Sequence, residues 1–350
     1  TYQGQVPNVE QIQDVVETTL MKDGFHETAK AYILYRQKHA EQRMQKRETP
    51  EKIKNLVRES KKYFKNDLAE FVYYRTYSRW IEEEGRRETW VETVDRFMNF
   101  MKENLGEKLS EGEYTEVKEG ILNQDVCPSM RLLWAAGPAA RKTNVAAYNC
   151  SYIAPTRLRD FGEIMYILMC GAGLGFSAEY ENVEQFPQIQ KQTGEKAEKY
   201  VVEDSKEGWA DAFVYAMETW FVGKDVEFDY SKIRQAGARL QTMGGRASGP
   251  QPLIDLVKFA KEKVLARQGR RLRTIDVHDI TCKIGEIVVA GGVRRSALIS
   301  LSNLDDPYIR DAKKGQFYLT QPQRSMANNS AVYEKKPTAE EFLQEWTSLV

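Results

Sequence analysis

Apolar residues recur three and four positions apart near the start of the chain, at Val9, Ile12, Val16 and Leu20, the spacing that gathers side chains on one face of a helix. Pro7 and Asn8 precede the run and Gly24 follows it, supplying a start and a stop. A second helix is expected from about His26 to Arg43. Its charged continuation, His39 to Lys54, reads as a solvated connection punctuated by Pro50. From Glu51 to about Asn123 the pattern is helical throughout and rich in aromatics, among them Tyr63, Phe64, Tyr73, Trp90 and Phe97. At helical spacing these are core residues and not a base-stacking stripe. After Cys127 the texture changes. Strand-like runs at Tyr148 to Ile153, Gly175 to Tyr180 and Ala297 to Leu301 are separated by helical patterns at Arg157 to Met169, Ser205 to Phe221, Pro250 to Arg267 and Thr274 to Ala290. That alternation predicts an α/β fold with a largely parallel sheet or barrel.

Composition narrows the class. With 350 residues, 41% of them hydrophobic and 29% charged, the chain can bury one large core or two smaller ones. Lys plus Arg equals Asp plus Glu at 51 each, so no broad field points to a nucleic-acid duplex or an anionic membrane, and a polyanion must be held locally. The longest apolar runs, such as Ile164 to Cys170, fall far short of the roughly 20 residues that cross a bilayer. No secretory or transit leader is visible, which makes a cytoplasmic location the default expectation. Cys127, Cys150, Cys170 and Cys282 lack zinc-ligand spacing, and His26, His39 and His278 are scattered; reduced thiols and no metal site are expected. The chain starts at Thr1 without Met and stops at Val350 within the periodic segment Phe342, Leu343, Trp346, Leu349, so both ends read as cut.

Three glycine-bearing segments carry candidate chemistry. Gly171 to Gly175 lies between an apolar helix and a strand-like run, where backbone amides could approach a phosphate or a sugar. The order is the reverse of a dinucleotide-binding turn, which excludes a Rossmann reading and leaves a plain structural turn as the competitor. Gly244 to Pro250, with Arg246 and Ser248, stands before a helix, a setting that suits an anion or a plain loop. Gly291-Gly292-Val293-Arg294-Arg295-Ser296 leads into a buried-type strand; its adjacent guanidinium groups suit phosphates or base edges, against a solvated basic turn. Cys150 sits in a strand-like run among polar neighbours, where both a redox and an inert role stay open.

Together these segments resemble the adenosylcobalamin-dependent (class II) ribonucleotide reductases. The motifs follow family order: Pro128 to Trp134, Tyr148-Asn149-Cys150-Ser151-Tyr152, Leu168 to Ser177, Gly244 to Pro250, His278-Asp279-Ile280, Gly291 to Leu301 and Ser325 to Tyr333. The likeness covers about residues 55 to 350, and Val9 to Arg43 resembles the closing helices of an ATP-cone. It implies residues 1–48 as the end of that cone, 49–125 as a helical domain, and 126–350 as roughly the first half of a ten-stranded α/β barrel. Cys150 resembles the first of two cysteines that reduce the ribose and become a disulfide. Ser129, Asn149, Gly173 and Arg294 resemble substrate-contacting positions, and Asp160 and Arg246 fall in effector-binding regions. The implied reaction converts ribonucleoside di- or triphosphates to deoxyribonucleotides by thiyl-radical chemistry begun by adenosylcobalamin, under dNTP and ATP control, with a thioredoxin-like or other thiol reductant.

In the family, the radical-bearing Cys, the second redox Cys and most of the cobalamin surface lie downstream of the position of Val350, and no Cys follows Cys282 here. The chain alone is therefore expected to be inactive, or to be completed by a complementary polypeptide or by splicing; the partner is expected to be that polypeptide or a second copy in a homodimer. Two alternatives remain: a class I large subunit served by a metal-bearing partner, and a non-catalytic nucleotide-binding regulatory fragment.

Overall fold

A computed structural model describes residues 9–44, 51–240, 246–290 and 297–349. The chain divides into two compact units, Thr1–Lys62 and Tyr63–Val350. In the first, α1 (Val9–Lys22) and α2 (His26–Met44) form a hairpin turned at Gly24, whose φ of +81° lies in the left-handed region that glycine adopts without strain. Arg36 on α2 reaches back to Asp14 and Glu17 on α1 at 2.9 and 2.6 Å. A third helix, α3 (Glu51–Lys61), follows.

The second unit opens with helices. After α4 (Asp67–Thr76) comes a short antiparallel hairpin of β1 (Trp80–Ile81) and β2 (Arg86–Arg87). The expectation of unbroken helix from Glu51 to Asn123 fails here. Glu82, Glu83 and Glu84 are like charges on successive residues, and Gly85 at φ +63° closes the turn. Helices α5 (Trp90–Leu105) and α6 (Glu111–Leu122) begin with reciprocal caps, Thr89 with Glu92 and Ser110 with Glu113, which satisfy amides that lack intrahelical partners. Tyr73, Trp90, Val94, Phe97, Tyr114 and Ile121 form their core, so most of the aromatics pack as the periodicity predicts, whereas Phe71 and Trp80, expected in the core with them, are exposed. Two short helices, α7 (Met130–Ala135) and α8 (Pro138–Lys142), lead to the sheet.

In chain order the α/β region contains β3 (Cys150–Ile153), α9 (Leu158–Met169), β4 (Gly173–Ser177), α10 (Tyr180–Val183), β5 (Tyr200–Val201), α11 (Lys206–Phe221), β6 (Phe228–Asp229), α12 (Gln251–Leu265), α13 (Thr274–Ala290), β7 (Leu298–Leu301) and β8 (Ala327–Ser330). One parallel sheet has the order β3-β4-β7-β8, and β5 and β6 form a separate parallel pair. The α/β expectation is met by this parallel sheet. On its inner side Leu174, Phe176, Leu298 and Ala327 are buried in one cluster with Ile164, Met165 and Leu168 of α9 and Ile280 and Ile284 of α13. Among the described residues no helix is long and apolar enough to cross a membrane.

Helices α9 and α11 approach closely because position 162 has no side chain. A Cβ there would lie 2.5 Å from Val214 Cγ2 and 3.3 Å from the Ala210 carbonyl oxygen. Gly162→Ala is expected to destabilise the second unit by about 1–3 kcal/mol, read as a lower urea midpoint, and adding Val214→Ala should recover part of the loss.

Candidate active site

Side chains alternate across a strand, so a sheet with one buried face leaves its other residues on the opposite face. Here Cys150 and Tyr152 of β3, Ile299 of β7 and Asn328 of β8 are exposed, and Gly173 and Gly175 of β4 lie between them. The register sets Cys150 directly beside Gly173, and Tyr152 beside Gly175. The result is a thiol at the margin of a floor with no side chains. Asn149, also exposed, accepts the Gly173 amide through its carbonyl at 2.7 Å.

The glycines act by bareness and not by donating amides. Besides Gly173, the amide of Gly171 is taken by Leu168 O at 2.8 Å and that of Leu174 by Ala297 O at 2.8 Å. The expectation of amides free to approach a phosphate is thus corrected for these positions: the turn and the sheet consume them. Gly171 alone needs the left-handed region, at φ +83°, where it reverses the chain between α9 and β4.

Ser129 caps α7. Its hydroxyl accepts the Leu132 amide at 3.3 Å and is exposed, leaving its proton free to donate. Both ends of α7 are pinned by arginines. Arg131, 4% exposed, donates to the Cys170 carbonyl at 2.8 Å, tying the helix to the turn before β4. Arg96 donates to the Leu133 and Ala136 carbonyls at 3.2 and 2.7 Å, while a two-point pair with Glu88 at 2.7 and 3.1 Å holds its guanidinium. Cys170 is buried and receives a hydrogen bond from Lys206 Nζ at 3.3 Å.

The remaining predicted residues fall elsewhere. Asp160 is buried at the start of α9, where its carboxylate accepts the Thr156 and Arg157 amides at 2.8 and 2.9 Å and the Arg157 guanidinium at 2.8 Å. Burial opposes its charge, but these donors hold its pKa below the usual value. Arg246 is exposed, pairs across a β-bridge with Arg239 and donates to the Gly237 carbonyl at 2.9 Å. Arg294 lies outside the described residues. The flanking residue Ala297 meets β4 beside Gly173.

Sequence reasoning missed the charged cluster behind the sheet. Asp279 on α13 accepts Lys263 Nζ at 2.6 Å, Arg324 Nε and Nη2 at 2.6 and 3.0 Å, and Gln323 Nε2 at 3.3 Å. Burial would raise its pKa, yet bonds from His278, Arg324 and Lys263 hold it far below the carboxylate range. His278, fully buried, lies 3.1 Å from Asn329 Oδ1 and 3.7 Å from Cys282 Sγ. The four-residue spacing of His278 and Cys282 put both on one helix face; only folding brought Lys263, Arg324 and Asn329 to them.

Family models match in chain order: the ATP cone domain over residues 2–41, the ribonucleotide reductase alpha domain over 48–137, and the B12-dependent ribonucleotide reductase insertion domain over 177–265. The adenosylcobalamin-dependent ribonucleoside-triphosphate reductase of Euglena gracilis is 31% identical over 294 residues, covering 77% of this chain and 40% of the relative. That of Lactobacillus delbrueckii subsp. bulgaricus is 30% identical over 332 residues, covering 76% and 45%. A crystal structure of a B-12 dependent (class II) ribonucleotide reductase superposes with a TM-score of 0.65 at 27% identity, covering 79% of this chain and 47% of that one. The chain is similar in sequence and in fold to the adenosylcobalamin-dependent ribonucleotide reductases, and the insertion-domain match supports this reading over the class I alternative. It spans 40% to 47% of the length of these relatives.

A corrin finds no seat in two of the cavities among the described residues. Cavities of about 280 Å³, beside Asn303, Arg310 and Lys313, and about 420 Å³, between α9 and α11, are too small for that macrocycle. Its chemistry is therefore not assigned to these side chains.

His278 makes stability depend on pH. Burial lowers its pKa, but the Cys282 sulfur, Asp279 and Asn329 outweigh this and raise it from 6.5 to about 9. A raised folded-state value stabilises fully below the unfolded pKa and is lost as pH rises through the folded one. The stability difference between the parent chain and His278→Gln, from urea unfolding, should be largest below about pH 6.5 and shrink as pH rises toward about 9.

Proposed function

We propose that this chain carries the substrate-reducing thiol of a ribonucleotide reductase and part of its nucleotide site, for ribonucleoside di- or triphosphates. The observation that carries the reading is Cys150: an exposed thiol beside a glycine floor, in a chain whose relatives are named as reductases of this kind. A thiol must reach the sugar to reduce it, and side chains at positions 173 and 175 would stand in the way.

The overall change replaces the 2′ C–OH by C–H and releases water. Two thiols supply the two electrons and two hydrogens and become a disulfide. Cys150 is one of them; Cys170 and Cys282 are buried, which argues against either as its partner. An external dithiol of the thioredoxin type would restore both. Adenosylcobalamin, where bound by the complete enzyme, supplies the radical that starts the reaction. This chain's residues bind and orient: the Ser129 hydroxyl donates to the nucleotide, Asn149 flanks the thiol, and Arg294 contacts the substrate. Arg246 and the region of Asp160 serve deoxynucleotide effectors, with Asp160 setting the start of α9. The first unit, with its ATP cone match, serves ATP.

A ribonucleoside triphosphate should shield Cys150. With CTP at about ten times its dissociation constant, the iodoacetamide alkylation rate at Cys150, followed by peptide mass spectrometry, is expected to fall about tenfold, while inorganic triphosphate gives little protection. Equal rates with and without CTP would remove the nucleotide reading.

A further inference from the structure

The open face has a second row that the reduction chemistry leaves unused. Tyr152, Gly175, Ile299 and Asn328 are direct neighbours across four strands. Tyr152 is 55% exposed and Ile299 48%. A Cβ on Gly175 would lie 3.3 Å from Tyr152 Cδ2, so the ring edge rests against the glycine backbone while much of the side chain faces solvent. Gly175 has no positive φ; the backbone therefore does not require glycine here, whereas the position of the ring does.

An aromatic that covers a glycine from the neighbouring strand can be a purely structural pair. Such a pair gains most when the ring is buried, and this one is not. Tyr152 follows Cys150 on the same face at about 7 Å along the strand, two residues of roughly 3.3 Å rise, close to the breadth of a pentose. We propose that Tyr152 is a substrate-contacting residue. Its ring packs on the apolar C–H face of the ribose that Cys150 meets, and Gly175 is the seat that keeps the ring low enough to leave room for the sugar. Aromatic walls with few polar anchors are usual in small-molecule sites, and here Asn149, Ser129 and Asn328 are exposed polar side chains. The proposal rests on the nucleotide reading above and adds to it the element that recognises the sugar.

The test uses the chain itself, with CTP as probe and inorganic triphosphate as control. Acetylation of Tyr152 by N-acetylimidazole and alkylation of Cys150 by iodoacetamide are followed together by peptide mass spectrometry. CTP should protect both residues over the same concentration range, and triphosphate should protect neither. Tyr152→Phe should keep the half-protecting CTP concentration for Cys150 within about twofold, whereas Tyr152→Ala and Gly175→Ala should each raise it about tenfold, with circular dichroism confirming the fold. Protection of Cys150 with Tyr152 acetylated at an unchanged rate would overturn the role of Tyr152 and leave the nucleotide reading standing; this needs no variant to fold. An unchanged half-protecting concentration in Tyr152→Ala would overturn it too. Failure of CTP to protect Cys150 in the parent chain would sink the nucleotide reading and the role of Tyr152 with it.

Discussion

The site depends on the two-residue alternation of a parallel sheet that is covered on one side. Leu174, Phe176, Leu298 and Ala327 must turn toward α9 and α13 to leave water, and this forces Cys150, Tyr152, Ile299 and Asn328 onto the other face. A slip of one residue in β3 would send the Cys150 thiol inward. Hydrophobic burial on one side thus fixes where the Cys150 sulfur stands on the other. Glycines at 173 and 175 then keep the neighbouring strand low, while the Gly173 amide stays committed to the Asn149 carbonyl.

Around this sheet, buried charge is used to hold elements in place. Arg131 donates to a backbone carbonyl at the turn before β4 and Arg96 to two at the end of α7, so the helix that starts at Ser129 is held by that turn and by α5. Behind the sheet, Asp279 gathers Lys263 from α12 and Arg324 from the segment before β8. A buried carboxylate stripped of one such partner leaves an uncompensated charge, whereas a fully paired one is tolerated. The cluster fixes the position of β8, whose Asn329 meets His278 on the inner side while Asn328 faces out.

The same economy marks the helix starts. Thr89 with Glu92, Ser110 with Glu113, and Arg157 with Asp160 each close a helix N-terminus with a residue three positions on. For Asp160 these bonds come from two backbone amides and from the Arg157 guanidinium.

Much of this was legible in the residues. Periodicity located α9, α11, α12 and α13 to within about two residues, because each buries a stripe against a neighbour. The strand that carries Cys150 was legible as a strand-like run, while its residues left the role of the thiol open and only the family resemblance singled it out. The hairpin at Trp80–Arg87 escaped notice because each of its strands has two residues, too few to show alternation. Tertiary structure alone decided what lies beside what: Cys150 against Gly173, Tyr152 over Gly175, Asp279 among cations from distant segments. Local propensity is encoded in near neighbours along the chain, but cross-strand register and buried ion pairing join residues tens of positions apart, and these form only when the core closes.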